Sequence, residues 1–406
     1  MRTTTTTRAR RGTTGVGLAL ATGLALTACA GSTPEAGPTP ASSPVTEAPA
    51  TGGTGPSPAS GPVTEGAVTV SGEPTTVVTN LAAPWSVVPL DSGSSFASLR
   101  DEGRVVEILE DGSTREVAVV DDVEARGEGG LLGLAVLGGA PSYLYAYVTT
   151  AADNRVVRMP VTGEAGSYGL GERQDVLTGI PVASNHDGGR IAFGPDGMLY
   201  VTTGDASVTA NAQDPGSLGG KILRLTPEGD VPADNPTPDS FVWSSGHRNP
   251  QGLTWTADGT MWAAEFGQDT WDELNRIEPG ADFGWPDVEG GLEDAAAPGS
   301  VDDEGRTAPV LQWRTDVASP SALTAVGDTL YLAGLGGERL FEIQVDGAGT
   351  ATATELLTGD DSLGRLRDVV PAPDGSLWVV TNNTDGRGEP RSGDDQVVSV
   401  PLSPAA

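Results

Sequence analysis

The sequence predicts an all-β fold, and three features lead to that prediction. The chain of 406 residues contains 57 glycines and 31 prolines, which is typical of a fold with many turns. Its strongly apolar segments are short, and turn dipeptides recur between them. Short strands separated by tight turns account for this pattern better than helices, which need runs of about ten or more residues with a period near 3.6.

One segment shows the repeating unit most clearly. Between Asn185 and Asp205, apolar residues alternate with small or polar ones on both sides of the Gly-Pro-Asp-Gly run at 194–197, which predicts a strand, a tight turn and a second strand. His186, one of two histidines in the chain, lies in the Gly-rich run just before this hairpin. We expect the backbone there to turn and expose the imidazole ring as a candidate base.

The same unit recurs six times, and most copies continue into a second and a third strand. The copies start at Trp85, Leu131, Ile191, Leu253, Leu323 and Val369. Successive starts lie about 46 to 70 residues apart, which is the range for four-stranded propeller blades with inserted loops. We therefore predict a six-bladed β-propeller with four-stranded blades over residues 67–406. Because residues 68–78 are strand-like and the chain ends in a strand-like run, we expect a strand from one terminus to complete a blade begun at the other.

The first 66 residues carry signals for export and tethering. A basic N-terminal region precedes the apolar stretch from Val16 to Leu26, and small residues precede Cys29, so residues 1–28 are predicted to be a signal peptide. Cys29 is the only cysteine, and the run Leu-Thr-Ala-Cys that it ends resembles the bacterial lipobox. We predict a lipid anchor at Cys29 that holds the protein outside the cytoplasm; an ordinary cleaved signal is the alternative. Residues 29–66, rich in Pro, Thr, Ser and Gly, are predicted to be a disordered tether.

The charge balance excludes one class of partner. The chain has 55 acidic and 23 basic residues, and its formal net charge is −32. Such a protein repels the phosphate backbone, so nucleic acid is not expected to bind it.

Charged and polar residues recur at one position of the repeat, just before the innermost strand. They are Glu128, His186, His247, Arg248, Asn249, Arg365 and Arg367. Loops that enter the innermost strands of a propeller gather at one mouth of its central channel, so we expect these side chains to face a single opening.

Several motifs, taken together, resemble the glucose/sorbosone dehydrogenase family of soluble quinoprotein aldose dehydrogenases. They are GHRNPQG at 246–252, DELN at 272–275, FGWP at 283–286, the segment HDGGRIAFGPDGMLY from His186, GEGGLLGLA from residue 127 and GRLRDV from residue 364. The resemblance runs from about residue 75 to the end of the chain. It implies a propeller that holds pyrroloquinoline quinone (PQQ) with Ca²⁺ over its mouth, oxidises the anomeric carbon of an aldose to a lactone and passes electrons to an external acceptor.

The resemblance also implies residue roles. His186 would be the general base at the C1 hydroxyl while hydride passes to the quinone, and Arg248 would lie beside the quinone oxygen that gains charge. Cofactor binding would fall to Glu128, Arg248, Asn249, Arg365 and Arg367, and the carbonyls of Gly267 and Gln268 would ligate Ca²⁺. His247 is expected to orient Arg248 or to pack in its blade. The chain departs from the pattern of some members at Glu128, Asn185 and Gly336, where they carry Gln, Asp and Lys.

Two other classes of function stay open from the residues alone. Six-bladed propellers also serve as Ca²⁺-dependent lactonases and esterases, for which Glu128, Asp187, Asp205 and Asn249 would supply a metal cage. The third reading is a surface-tethered binding module without catalysis.

Overall fold

A computed structural model describes residues 66–140, 142–291, 297–346 and 350–405. The predicted signal peptide, Cys29 and the tether up to residue 65 lie outside the described residues. In the described part of the chain, no helix is long and apolar enough to span a membrane.

Short strands make up nearly all of the regular structure. In chain order they are β1 (Val68–Val70), β2 (Thr75–Val78), β3 (Pro84–Pro89), β4 (Ser95–Leu99), β5 (Arg104–Ile108), β6 (Thr114–Val119), β7 (Leu131–Leu137), β8 (Tyr143–Thr149), β9 (Asn154–Thr162), β10 (Gly169–Leu170), β11 (Gln174–Ile180), β12 (Ile191–Phe193), β13 (Leu199–Thr203), β14 (Lys221–Leu225), β15 (Val242–Ser244), β16 (Pro250–Trp255), β17 (Met261–Glu265), β18 (Trp271–Ile277), β19 (Leu311–Arg314), β20 (Pro320–Val326), β21 (Thr329–Gly334), β22 (Arg339–Val345), β23 (Ala351–Leu356), β24 (Leu366–Pro371), β25 (Leu377–Thr381), β26 (Val397–Val400) and β27 (Leu402–Pro404). Two short 3-10 helices cover Thr209–Ala212 and Gly359–Asp361.

These strands form six antiparallel blades of four strands, which confirms the predicted fold. Blade 1 is β3 to β6, blade 2 is β7, β8, β9 and β11, blade 3 is β12 to β15, blade 4 is β16 to β19, blade 5 is β20 to β23, and blade 6 is β24, β25, β26 and β2. The first strand of each repeat is innermost, since β3, β7, β12, β16, β20 and β24 each contact the next in turn and β24 contacts β3. The six inner strands therefore close into a ring.

The ring closes through the N-terminal part of the propeller, as expected. Strand β2 pairs antiparallel with β26, with Thr75 opposite Ser399, so it supplies the outermost strand of blade 6. The strand-like run at 68–78 is two strands, and the first of them, β1, pairs with β27. Blade 6 thus combines strands from both ends of the described chain, and β2 covers the edge that β26 would otherwise expose.

The predicted hairpin after His186 also forms. Phe193 pairs with Leu199 across the turn, and Gly197 takes a positive φ of 75° that a glycine adopts without strain. The core lies between the faces of neighbouring blades, because alternate residues of each strand point to opposite faces. Between blades 2 and 3, for example, Tyr145 and Tyr147 pack with Leu199 in one buried cluster.

Candidate active site

His186 and Asp205 form the centre of the mouth. His186 lies in the loop before β12 with a left-handed backbone at φ 62°, and Asp205 follows the end of β13. The imidazole Nδ1 lies 2.7 Å from Asp205 Oδ1. Asp205 is fully buried and also accepts hydrogen bonds from the Trp285 indole N–H at 2.8 Å and the Ser207 backbone N–H at 2.7 Å.

These bonds favour the ionised form of Asp205 and select the tautomer of His186. Burial works to raise the pKa of Asp205, but the hydrogen bonds from His186 and Trp285 outweigh it and hold that pKa below its ordinary value. An ionised Asp205 accepts a proton-bearing Nδ1, so the tautomer that fits leaves Nε2 of His186 with a free lone pair. The side chain is therefore arranged to accept a proton at Nε2.

The expectation that the ring of His186 is exposed is wrong. The residue is 7% exposed, and its Nδ1 is bonded to the fully buried Asp205, which the indole of Trp285 also contacts.

Glu128 connects three loops of the mouth. Its Oε2 accepts the backbone N–H of His186 at 3.0 Å and the side-chain amide of Asn249 at 3.2 Å. Its Oε1 lies 3.5 Å from the guanidinium of Arg387. Asn249 in turn accepts the Gly188 N–H at 3.0 Å, so the loop that carries His186 is held from both sides.

Arg248 lies next to this network at the start of β16. Its guanidinium donates to the Phe266 carbonyl at 3.2 Å and to the Gln268 side chain at 3.4 Å, and it lies 5.6 Å from the centre of the Trp285 ring. Burial lowers the pKa of Arg248, while Asp205 and Glu128 oppose that shift. The cation is thus partly desolvated, which strengthens its interaction with any charge that develops beside it.

His247 packs inside its blade and is linked to Arg248, as expected. The ring is fully buried, stacks on Phe283 with centroids 4.8 Å apart and contacts Ser244 Oγ at 2.8 Å. Its Nδ1 lies 2.8 Å from Glu265 Oε1, and the other oxygen of Glu265 accepts the Arg248 backbone N–H at 2.8 Å. Glu265 therefore links the two residues.

A cavity of about 240 Å³ lies beside this centre, and three arginines from the C-terminal part of the chain line it. Its walls are formed by Trp85, Glu128, Gln251, Phe266, Ser319, Leu335, Gly336, Arg365, Arg367 and Arg387. Arg367 donates to Gln251 at 2.9 Å and lies over Trp85, yet its Nε has no hydrogen-bond partner among the described residues, and neither has the Nε of Arg365. Burial, together with repulsion from Arg100, lowers the pKa of Arg367 to about 9. The cavity therefore has the electrostatic character of an anion site.

The loop at 267–271 is held by one carboxylate. Glu289 Oε1 accepts the backbone N–H groups of Gln268, Asp269, Thr270 and Trp271 at 2.7 to 3.0 Å. Burial works against ionisation of Glu289, but these four donors together lower its pKa. No described residue donates a hydrogen bond to the carbonyls of Gly267 or Gln268, so both oxygens are available as ligands for a hard cation.

Most carboxylate oxygens of the alternative metal cage already accept hydrogen bonds from other groups, with Asp187 Oδ2 as an exception. Asp205 is bonded to His186 and Trp285, while Asp187 Oδ1 accepts from Asn154 and Ala183. Within the described ranges, no group of three or more His, Cys, Asp or Glu side chains is placed to hold a metal ion. The geometry therefore gives no support to a carboxylate cage of the lactonase type.

Most of the sequence-predicted residues meet at one mouth. Glu128, Arg365 and Arg367 line the cavity, and His186 and Asn249 join them through Glu128. Arg248, Gly267 and Gln268 form the adjoining group. The sequence analysis gave no role to Trp285, Gln251 or Arg387, and it assigned Asp205 only to the metal cage. Trp285 lies in the FGWP motif and Gln251 in the GHRNPQG motif, and these motifs were the available signals.

Comparison with known protein families shows to which family the chain belongs. The profile of the family described as Glucose / Sorbosone dehydrogenase matches residues 81–388. The chain belongs to the glucose/sorbosone dehydrogenase family. Among its relatives, Quinoprotein glucose dehydrogenase B of Acinetobacter calcoaceticus is 25% identical, over 76% of this chain and 85% of its own length. Aldose sugar dehydrogenase YliI of Escherichia coli (strain K12) is 29% identical, over 68% of this chain and 80% of its own.

Solved structures of this family share the fold. The PQQ-bound form of Aldose Sugar Dehydrogenase from Streptomyces coelicolor is 44% identical, with a TM-score of 0.76 over 85% of this chain and all of that one. The soluble Aldose sugar dehydrogenase from Escherichia coli, in its apo-form, has a TM-score of 0.69 and 24% identity over 84% of this chain. The chain therefore shares its fold with aldose sugar dehydrogenases of known structure.

Proposed function

We propose that this protein is a PQQ-dependent aldose dehydrogenase that oxidises the anomeric carbon of an aldose sugar to the lactone. The observation that carries the proposal is the mouth itself, where a base oriented by a buried carboxylate adjoins a cavity with unpaired arginine donors. Membership of the family and the PQQ-bound relative support it.

The cavity fits the cofactor on its own chemistry. PQQ carries several carboxylates, and Arg365 and Arg367 line the cavity with Nε atoms that have no hydrogen-bond partner among the described residues. Two guanidinium forks suit carboxylates, and bringing an anion there relieves the repulsion between buried cations. The indole of Trp85 and the ring of Phe266 add flat apolar walls for a planar ring system.

Ca²⁺ is proposed as the second cofactor, held by the carbonyls of Gly267 and Gln268. The support is the loop that Glu289 holds through four backbone N–H groups, together with the lack of any hydrogen-bond donor to these two carbonyls among the described residues. Backbone carbonyls are ligands that Ca²⁺ accepts readily. The remaining ligands would come from the bound cofactor.

In the proposed reaction, His186 accepts the proton of the sugar C1 hydroxyl at Nε2, and PQQ, when bound, supplies the hydride acceptor. Asp205 is a positioning residue, because it fixes the tautomer and stabilises the imidazolium that forms. Arg248 places a partly desolvated positive charge next to the site, and Asn249 supplies a neutral donor beside it. Removal of one general base costs about 10² to 10⁴ in rate.

We further propose that the protein acts outside the cytoplasm, anchored to the membrane by a lipid on Cys29, and delivers electrons to an external acceptor. The support is the run of signal-like residues before Cys29. Replacement Cys29→Ala should move the protein from the membrane fraction to the soluble fraction of the producing cell, and retention in the membrane fraction would reject the anchor.

A dye-reduction assay tests the proposed function. The purified protein is loaded with PQQ and Ca²⁺ and offered a panel of aldoses with an artificial electron acceptor, and in parallel a panel of lactones and esters without PQQ. Aldose-dependent dye reduction that requires PQQ is the expected result. Hydrolysis that requires Ca²⁺ and no quinone would instead establish the lactonase class, and neither activity, with PQQ demonstrably bound, would favour a binding module.

A further inference from the structure

Arg387 is a cavity residue that no recognised motif contains. It lies in the loop 382–395 after β25 and lines the same cavity as Arg365 and Arg367. Its side chain is 47% exposed, and its ion pair is a 3.5 Å contact with Glu128 Oε1. Arg367, by contrast, is buried and bonded to Gln251 at 2.9 Å. Of these cations, Arg387 is the one with room to move.

The backbone that carries Arg387 is nevertheless fixed. Asp385, whose side chain is fully buried, pairs with Arg365 at 3.3 Å and accepts the Arg387 backbone N–H at 2.9 Å. Gly388 packs so closely that a Cβ there would lie 2.8 Å from Arg365 Cδ. The loop is therefore built around Arg365, and it holds the Arg387 guanidinium at the cavity rim.

Another part of the cavity wall lacks a cation for a steric reason. Gly336 lines the cavity, and a Cβ added there would lie 2.5 Å from Ser319 Oγ. A longer side chain at 336 would have to displace Ser319. The exposed cation of this cavity is accordingly supplied by Arg387.

Exchanging the contact between Arg387 and Glu128 for another partner costs little free energy. A half-exposed ion pair at 3.5 Å contributes little free energy, whereas a guanidinium can bind a carboxylate through two parallel hydrogen bonds. Glu128 loses nothing essential when Arg387 turns away, because its Oε2 keeps the backbone N–H of His186 and the amide of Asn249.

We propose that Arg387 is a further cofactor-binding residue, which leaves Glu128 and pairs with a carboxylate of the quinone when the cofactor binds. This inference rests on the proposed function, and it extends the binding site to the loop 382–395. Arg387 is thereby a direct ligand of the cofactor rather than only a counter-charge for Glu128.

The test is a direct titration of PQQ into the Ca²⁺-loaded protein, followed by quenching of tryptophan fluorescence. Arg387→Ala should raise the Kd for PQQ by about tenfold or more, and Arg387→Lys should restore part of the affinity. The same loss should appear when Arg387→Ala is made in a Glu128→Gln background, since the lost partner is on the ligand. Arg391→Ala is the matched control, because Arg391 lies in the same loop, donates to the Ser362 carbonyl and does not line the cavity.

Two results would overturn the inference. One is a Kd for Arg387→Ala equal to that of the wild-type protein or of Arg391→Ala. The other is a loss that disappears in the Glu128→Gln background, which would reduce Arg387 to a neutraliser of Glu128. Melting temperatures of the cofactor-free variants show whether each is folded, and Arg387→Lys carries the comparison if Arg387→Ala is not. If the wild-type protein bound no PQQ, the proposed function would fall and this inference with it; wild-type binding with unchanged affinity in the variant overturns the inference alone.

Discussion

At the scale of single residues, the chemistry of the mouth depends on how a few buried carboxylates are satisfied. Asp205 has three hydrogen-bond donors around it, remains ionised and fixes the tautomer of His186. Asp187, the residue after His186, is also buried, but its Oδ2 has no partner in the described part of the chain. The pKa of Asp205 is therefore lowered and that of Asp187 is raised, because the two carboxylates have different hydrogen-bond donors.

Replacement Asp205→Asn should lower turnover by about 10² to 10⁴-fold while leaving the PQQ affinity and the KM for sugar nearly unchanged. The physical reason is that an amide cannot accept from all three donors and no longer stabilises an imidazolium. Steady-state kinetics and a PQQ titration measure the two effects separately. Asp214→Asn, an exposed position before β14, is the control. Turnover close to wild type in Asp205→Asn would show that His186 needs no carboxylate partner.

Asp187 gives a pH-dependent contribution to stability. Burial, helped by the charge of Glu128, raises its pKa from 3.8 to about 6. The unfolded chain ionises near pH 4 while the folded protein keeps the proton up to about pH 6, so this contribution is complete below about pH 4 and is lost as the pH rises to about 6. Asp187→Asn cannot ionise and keeps an oxygen for Asn154. Its free energy of unfolding should therefore rise relative to wild type by roughly 2–3 kcal/mol between pH 4 and pH 7.

Urea unfolding at several pH values measures that difference. Asp303→Asn, at an exposed position, controls for the loss of one carboxylate charge. A difference between Asp187→Asn and wild type that stays constant with pH would contradict the assignment.

The meeting of residues at one mouth was predictable from sequence where motifs carried them, as for His186, Arg248 and Arg367; their catalytic and binding roles stay predictions. Asp205 was visible only as an acidic residue at the end of a strand, because its link to His186 and Trp285 joins residues 19 and 80 positions away. Arg387 gave no signal, since its contact with Glu128 exists only once two distant loops meet. The exposure expected of His186 failed for a similar reason: Asp205, which binds its Nδ1, lies 19 residues further along the chain.

At the scale of elements, one side chain holds the loop at 267–271, which carries the two carbonyls proposed to bind Ca²⁺. Replacement Glu289→Ala removes the acceptor of four backbone N–H groups. We expect the Ca²⁺ affinity to fall by about tenfold or more, because the Gly267 and Gln268 carbonyls lose their fixed direction. Hydrogen exchange at residues 268–271 should accelerate in the metal-free protein.

Glu278→Ala, which removes an exposed ion pair with Arg276 in the same blade, is the control for that measurement. Unchanged exchange and unchanged Ca²⁺ affinity in Glu289→Ala would show that the loop is held by other means.

Strands were predictable in proportion to their burial. The inner strands stood out as apolar runs, and each contains the residue predicted to start its repeat. The outer strands did not, because they present mainly exposed or half-exposed residues; Ala351–Leu356 has four exposed positions in six. Hydrophobic patterns in a sequence therefore identify the buried strands but not the outermost strand of each blade.

At the scale of the whole molecule, the number of repeats in the sequence correctly predicted the number of blades. The ring closes where the N-terminal part of the propeller pairs with the C-terminal part. Strand β2 covers the edge of β26, so its removal should expose that edge. A chain that begins at residue 80 should melt roughly 5 °C or more below one that begins at residue 66, and it should aggregate more readily. Calorimetry and light scattering measure both effects. Equal melting temperatures would mean that closure contributes little to stability.

The most direct test of the whole account is a single turnover without oxygen. The protein loaded with PQQ and Ca²⁺ is mixed rapidly with an aldose, and the absorbance of the bound cofactor is followed in wild type and in His186→Ala. We predict that the wild-type spectrum changes to that of the reduced cofactor, and that His186→Ala binds the cofactor but is reduced about 10² to 10⁴-fold more slowly. Failure of every aldose to change the wild-type spectrum, or an equal rate in the variant, would contradict the account.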